Sequence, residues 1–290
     1  MSQTILITGT SSGFGNLMVR SLLKNGNKVI ATMRGVNGKN KQVAEELAGL
    51  GAKIIELDVT DDQSVNTAIS NAISEAGKID AVINNAGVGV MGFQEAFTID
   101  DMQKLFDINV FGVQRVLRAI IPHFRENKAG SIINISSLLG RMTVPFYGPY
   151  NASKWAVEAL TENYRTELSQ FGIDVSLVEP GGFPTSFMDR LIRPSDDSRA
   201  TSYQSVEPAP ETFFTNFEEA LASNPAQNPQ DVADAVVGLI NTPPTERKFR
   251  TIVDKMGMGD HLEGYNDNLG QITAGVYGAF GIDHLLQMKN

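Results

Sequence analysis

The chain contains no cysteine and a single tryptophan among its 290 residues. Missing thiols exclude disulfide staples, thiolate nucleophiles and cysteine metal sites, and they are compatible with a reducing compartment. Three histidines, His123, His261 and His284, stand far apart without ligand spacing, so no metal site is indicated. No apolar stretch reaches the ~18 residues that would span a bilayer. The start, "MSQTILITG", enters a strand-like run by Thr4 with no charged leader or hydrophobic signal region before it. Runs of lysine or arginine are lacking as well, and the 24 basic residues are outnumbered by 33 acidic ones, for a net charge of -9. Such a surface does not suit phosphate backbones or anionic lipid, so neither nucleic acid nor a membrane is expected as a partner. A soluble, cytoplasmic protein is the expectation. With 42% hydrophobic and 20% charged residues, the composition is that of a globular chain able to bury a substantial core.

What is present is a regular alternation. The short apolar runs "TILIT", "KVIAT", "AKIIEL", "DAVINN", "GSIINIS", "DVSLVEP" and "RTIVD" are separated by longer, mostly amphipathic segments. That order predicts an α/β fold, a doubly wound Rossmann-type parallel β-sheet. The strands lack polar alternation, so helices should cover both faces. No internal repeat, composition break or linker precedes residue 183, which favours one domain over residues 1–290. From Phe183 to Gln230 the texture turns rich in Pro, Ser and Asp, with phenylalanines scattered through it. This is expected to be a long irregular insertion acting as a lid. The tail from Met256 to Asn290 is expected as an amphipathic helix that closes a pocket or forms an oligomer contact.

In such folds ligands bind beyond the carboxyl ends of the strands, where the strand order switches. The first strand runs into "TGTSSGFG", which places Gly9, Gly13 and Gly15 just before a helix-like segment. Glycines there let the backbone approach a pyrophosphate, which the free amides of a helix N-terminus also attract. The spacing departs from the general dinucleotide fingerprint G-x-G-x-x-G. Farther on, "YNASK" sets Tyr150 four residues ahead of Lys154, on one face of a helix. A free phenol has a pKa of about 10, and a nearby ammonium favours the phenolate, so Lys154 could bring Tyr150 into range as an acid and base. Ser137, at the end of a predicted strand, could hold a substrate oxygen for the phenol. An exposed Tyr–Lys pair and ordinary strand-end hydroxyls at Ser136 and Ser137 are the plainer alternatives.

Taken in order, "TGTSSGFG", "LDVTD", "NNAG", Asn109 in "DINVFG", "NISS", "YNASK" and "PGGFPT" make residues 3 to 240 or so resemble the one-domain short-chain dehydrogenases/reductases. Within that family, "KVIATMRG" and the long lid look most like the 17β-hydroxysteroid and retinol dehydrogenase-like members. The resemblance implies a catalytic set of Ser137, Tyr150, Lys154 and Asn109. It selects Ser137 over Ser136, gives Lys154 a nicotinamide-ribose contact and gives Asn109 a water that relays protons. It also implies a cofactor site built from Gly9, Ser11, Ser12, Gly13, Phe14, Gly15, Arg34, Asp58, Val59, Asn85, Ala86, Gly87, Tyr150, Lys154, Pro180, Gly181, Phe183 and Thr185. A homo-oligomer, dimer or tetramer, follows from the same likeness.

Cofactor choice turns on the end of the second strand. An acid there would bind the ribose hydroxyls of NAD, whereas an arginine can pair with the extra phosphate of NADP. Met33 stands at the acidic position and Arg34 follows, which favours NADP(H) over NAD(H). The glycine-rich loop itself lacks a further basic residue. Leu138, Met142, Val144 and Phe146, with Phe183, Phe187, Met188, Phe213, Phe214 and Phe217, either line an apolar pocket for a hydrophobic alcohol or ketone or simply pack the lid. Two classes of function compete. One is an oxidoreductase interconverting a carbonyl and an alcohol, NADP-dependent or alternatively NAD-dependent. The other is a catalytically silent nucleotide-binding redox sensor, which would have no chemical need for Ser137, Tyr150 and Lys154.

Overall fold

The computed structural model of the protein describes residues 2–289. All seven apolar runs are strands: β1 (Thr4–Thr8), β2 (Lys28–Met33), β3 (Lys53–Glu56), β4 (Ala81–Asn84), β5 (Gly130–Ile135), β6 (Ile173–Pro180) and β7 (Arg250–Val253). They form one parallel sheet in the order β3-β2-β1-β4-β5-β6-β7. Parallel neighbours need crossovers, and helices supply them. α1 (Gly13–Lys24), α2 (Lys41–Gly49) and α3 (Asp62–Ala76) connect the first four strands. α4 (Ile99–Phe106) and α5 (Gly112–Asn127) lead to β5, and α6 (Gly148–Ser169) leads to β6.

Side-chain alternation along each strand sends residues to opposite faces, and both faces are covered. In β1, Ile5 and Ile7 pack with Met18 and Leu22 of α1 on one side, while Leu6 packs with Val82, Leu117 and Phe124 on the other. This double burial is why the strands read as unbroken apolar runs. β1 pairs with β2 on one edge and with β4 on the other. The chain therefore leaves β1 in opposite directions on either side of it, and the carboxyl ends of β1 and β4 open a crevice between their loops.

The stretch expected to be irregular is in good part helical. α7 (Asp197–Thr201) and α8 (Pro210–Ser223) lie between β6 and the last crossover helix, α9 (Gln230–Asn241). α8 has Pro at its first position, where the missing N–H costs nothing, and buries Phe214 and Leu221 two turns apart on one face. The surrounding prolines and serines hid this three-to-four-turn signal in the sequence. The segment is also tied down: the Ser195 amide and hydroxyl both donate to Asp101, at 2.9 and 2.5 Å. Asp101 belongs to the capping box of α4 with Thr98.

The tail carries α10 (Asp260–Ala279), whose one buried side chain is Leu262. The helix does not close the crevice; Met258, just before it, reaches the lining. A polar contact holds α10 to the body, with Asn266 Nδ2 donating to Glu179 Oε2 at 2.8 Å. Among the described residues, no helix is long and apolar enough to cross a membrane.

Candidate active site

A cleft of about 710 Å³ lies over the carboxyl ends of the strands. One half is lined by the loop after β1. Gly9 has φ of +71°, and a side chain there would press to 2.8 Å from Ala86 Cα. Gly13 also has a positive φ, +53°. At Gly15 a Cβ would overlap the Gly9 carbonyl oxygen. Backbone conformation fixes the first two glycines and close approach fixes Gly9 and Gly15. Ser12 caps α1 without using its side chain on the helix, so the hydroxyl and the first amides of α1 face the cleft mouth. Phe14 meets Phe183 edge to face at 5.5 Å, joining this loop to the one after β6.

The "NNAG" loop after β4 completes the cradle. Asn85 lines the cleft, but its side-chain amide is committed to the chain, donating to Thr8 O at 2.9 Å and Gly9 O at 3.0 Å. Thr8 Oγ1 in turn accepts from the Asn85 and Ala86 amides. Gly87, Pro180, Gly181 and Thr185 also border the cleft, as do Ser11, Asp58 and Val59. The residues present thus offer a glycine-lined groove, free helix amides and hydroxyls of the kind a dinucleotide needs.

At the far end of this groove, Met33 is buried and Arg34 is half exposed. Arg34 reaches Asp58 at 3.4 Å. Burial alone would raise the Asp58 carboxyl, but bonds from the Thr60 amide and hydroxyl, and the Arg34 charge, hold it below its ordinary value. The nearby acid Glu56 is turned into the loop, accepting from the Gly35 and Val36 amides at 2.5 and 2.8 Å. Lys39 and Asn40 line the same end. Neither stood out in the sequence, because a lysine and an asparagine in a polar loop carry no pattern. Lys39 packs over Gly35, whose φ is +66°, within the turn that follows β2.

The other half of the cleft holds the tyrosine and lysine. The two serines after β5 both border the cleft but differ in their contacts: Ser137 Oγ accepts from the Leu139 amide at 3.1 Å, whereas Ser136 Oγ is buried without a hydrogen-bond partner. Tyr150 is buried, and desolvation pushes its phenol well above the ordinary value, although a hydrogen bond with the Ser137 hydroxyl acts in the opposite direction. Lys154 departs from the expectation that its charge directly lowers the tyrosine. Its Nζ donates to the Ile135 carbonyl at 2.9 Å and lies 5.6 Å from the centroid of the Tyr150 ring. Burial pushes the lysine down to about 8, opposed by the Glu158 carboxyl. Desolvation thus outweighs the ammonium at the phenol.

Asn109 lies in a π-helical turn, Asp107–Phe111, between α4 and α5. Its side chain clamps Val88, with bonds of 2.9 Å to both the amide and the carbonyl, and donates to Ser153 Oγ at 3.1 Å. Ser153 passes the link to the Tyr150 carbonyl at 2.8 Å. The side chain is thus occupied as a brace under the tyrosine. His123 is buried, with Nε2 accepting from the Ile79 amide, and among the described residues no cluster could hold a metal.

The aromatics divide between the two roles left open. Leu138, Val144, Phe183, Phe187, Met188, Phe213 and Phe217 line the cleft together with Tyr147 and Met258. Phe146, at φ of +67°, instead packs between Phe93 and Phe213 at 5.5 Å from each. Phe214 stacks on Tyr147 at 4.6 Å. Met142 lies outside the lining. The wall opposite Tyr150 is therefore apolar and propped from behind by a second aromatic layer.

The family model described as short chain dehydrogenase matches residues 3–196. Bovine retinol dehydrogenase 8 is 35% identical over 260 residues, covering 86% of this chain and 82% of the relative. A short chain dehydrogenase/reductase from Burkholderia phymatum, solved with NAD, superposes with a TM-score of 0.73 at 26% identity, covering 91% of each chain. An actinorhodin polyketide ketoreductase solved with NADPH has a TM-score of 0.72 at 27% identity, covering 89% of this chain and 97% of the other.

Proposed function

The chain belongs to the short-chain dehydrogenase family, and from that premise we propose that it interconverts a hydrophobic carbonyl compound and its alcohol, using NADP(H) in preference to NAD(H). The observation that carries the reading is the convergence of Ser137, Tyr150 and Lys154 in one cleft, with the glycine-lined groove on one side and the apolar wall on the other. When bound, the nicotinamide supplies or takes up the hydride. The chain's own part is to hold and protonate an oxygen. Ser137 donates to the carbonyl oxygen, and Tyr150 delivers its proton to that atom as charge develops there. A buried phenol of high proton affinity suits the acid role in reduction, because it stays protonated across the neutral range. Lys154 holds the cofactor ribose, and Asn109 braces the helix turn that carries the tyrosine.

Support for NADP(H) comes from the charges at the groove end. The acidic position is a buried methionine, Glu56 is occupied by backbone amides, and Arg34 and Lys39 both face the cleft. Bidentate capture of a phosphate by arginine is the natural use of such an end. The hydrophobic substrate follows from the apolar wall, and the likeness to a retinol dehydrogenase is consistent with it. A cytoplasmic homo-oligomer belongs to the same proposal, and gel filtration of the purified protein tests its assembly.

The decisive experiment follows the absorbance of NADPH with purified protein and a panel of apolar ketones and aldehydes. Consumption with at least one, and slower consumption of NADH, is expected. Tight binding of NADPH without turnover on any member would instead favour the silent sensor.

A further inference from the structure

Behind the catalytic side chains lies a closed cluster of charge. Glu158 follows Lys154 by one turn of α6 and has a side chain 1% exposed. Glu179, the residue before Pro180 at the end of β6, is 0% exposed. Two guanidiniums serve them. Arg141, four residues after Ser137, reaches Glu158 at 2.8 Å, Glu162 at 3.0 Å and Glu179 at 3.6 Å. Arg250 of β7 reaches both Glu158 and Glu179 at 3.2 Å and also pairs with Glu162. Gly140 is needed for this closeness: a side chain there would come within 2.8 Å of Glu158 Cγ and 2.9 Å of Ser136 Oγ.

Glu158 and Glu179 therefore share two guanidiniums out of reach of solvent, with Glu162 at the partly exposed edge of the cluster, and a buried unpaired charge is costly. Among the described residues, Glu158 Oε1, Glu179 Oε1 and Ser136 Oγ are all buried with no conventional hydrogen-bond partner. The Arg250 Nε lies 3.2 Å from an oxygen of each of the two carboxyls, which sets Glu158 and Glu179 side by side. One proton held between Glu158 and Glu179 gives both oxygens a partner and leaves the cluster balanced.

We propose, building on the reductase reading, that Glu158 is a positioning residue for the charge on Lys154: neutral while it shares a proton with Glu179, it becomes an anion beside the ammonium as that pair ionises. The groups facing it are Lys154 and Glu162 on α6, Arg141, Glu179 and Arg250, with Arg165 acting on Glu162. Burial raises both Glu158 and Glu179 and lowers Lys154, which draws the titrations of carboxyl and amine toward one another. Ionisation of Glu158 then extends the pH range over which Lys154 stays charged. Asn266 enters because its amide favours the ionised form of Glu179, which makes α10 part of the device.

The test reads Lys154 directly. In full-length protein with 13C-labelled lysine, the Cε resonance lost in Lys154→Arg is assigned to Lys154 and titrated without cofactor or substrate. In Glu158→Gln, which cannot ionise, its midpoint is expected to fall by roughly one pH unit. Asn266→Ala, altered on the outer helix where folding is least at risk, is expected to shift it in the opposite direction, because the shared proton then settles on Glu179 and leaves Glu158 the anion beside the ammonium. An unmoved midpoint in either folded variant overturns the proposal. The titration needs no turnover, so a protein that reduced no carbonyl would leave the result standing, and an active reductase with an unmoved midpoint would lose only the role of Glu158.

Discussion

Tyr150 is flanked by Tyr147 and Phe187, whose rings lie 6.0 and 5.8 Å away, and this largely buried setting decides which of its protonation states is useful. A phenol that desolvation keeps protonated is ready to give its proton to a developing alkoxide. Tyr150→Phe retains the ring and the packing but removes that proton. Turnover in the NADPH assay is expected to fall by at least ~100-fold, with NADPH binding intact by fluorescence titration. Near-normal turnover would remove Tyr150 from the acid role. In the proposed reading, Arg34 is the residue on which cofactor choice rests. Its side chain is 51% exposed, so the lower end of the range for a hydrogen bond to a charged group applies. Arg34→Ala should weaken NADPH by about 1.5 kcal/mol, or roughly tenfold, and leave NADH unchanged. Equal losses for the two cofactors in calorimetry would show that Arg34 does not read the phosphate.

At the scale of elements, the segment between β6 and α9 combines firm and loose parts. Ser195 is held by Asp101 of α4, and Arg199 and Tyr203 both bond to Glu95 at 2.6 and 2.7 Å. Between Ser202 and Ala209 nearly every residue is exposed. Limited proteolysis is therefore expected to cut first within 202–209 and to spare 191–199. Asp101→Ala releases the Ser195 anchor and the α4 cap together, and new cuts should appear in 191–199 within the same digestion time. If the cutting pattern stays the same in that variant, Asp101 does not hold the segment.

For the whole molecule, Asp101 also links folding to pH. Burial alone would raise its carboxyl, but bonds from the Ser195 hydroxyl and from the Thr98 and Ser195 amides bring it down to about 2 from an ordinary 3.8. A carboxyl lowered on folding stabilises the folded chain fully above its unfolded value and loses that contribution as pH falls toward its folded one. Thermal unfolding between pH 4 and about pH 2 should accordingly be steeper in pH for the unaltered protein than for Asp101→Asn, which lacks the titrating group. Parallel curves for the two proteins would mean that this carboxyl is not shifted in solution. Against a net charge of -9, Arg34 and Lys39 both line one end of the cleft, where Asp58 pairs with the arginine.

The sequence by itself determined the sheet, because apolar runs such as "TILIT" and "KVIAT" are buried on both faces and a chain with that periodicity has few other ways to hide them. It also placed Gly9, Gly13, Ser137, Tyr150 and Lys154 around one crevice, since glycine requirements, strand ends and helical spacing are local properties of the chain. Tertiary structure alone decided what depends on groups remote in sequence. α8 gains its place by burying Phe214 against Tyr147, and prolines nearby concealed its pattern. The ammonium of Lys154 went to the Ile135 carbonyl because that buried oxygen lay within reach, a fact that the spacing to Tyr150 does not contain. Glu158, Glu162, Glu179, Arg141, Arg250 and Asn266 carry no motif, and they become one cluster only when α6, β6, β7 and α10 are packed together. Local geometry can be read along the chain, whereas the balance of buried charge is a sum over elements that the fold brings side by side.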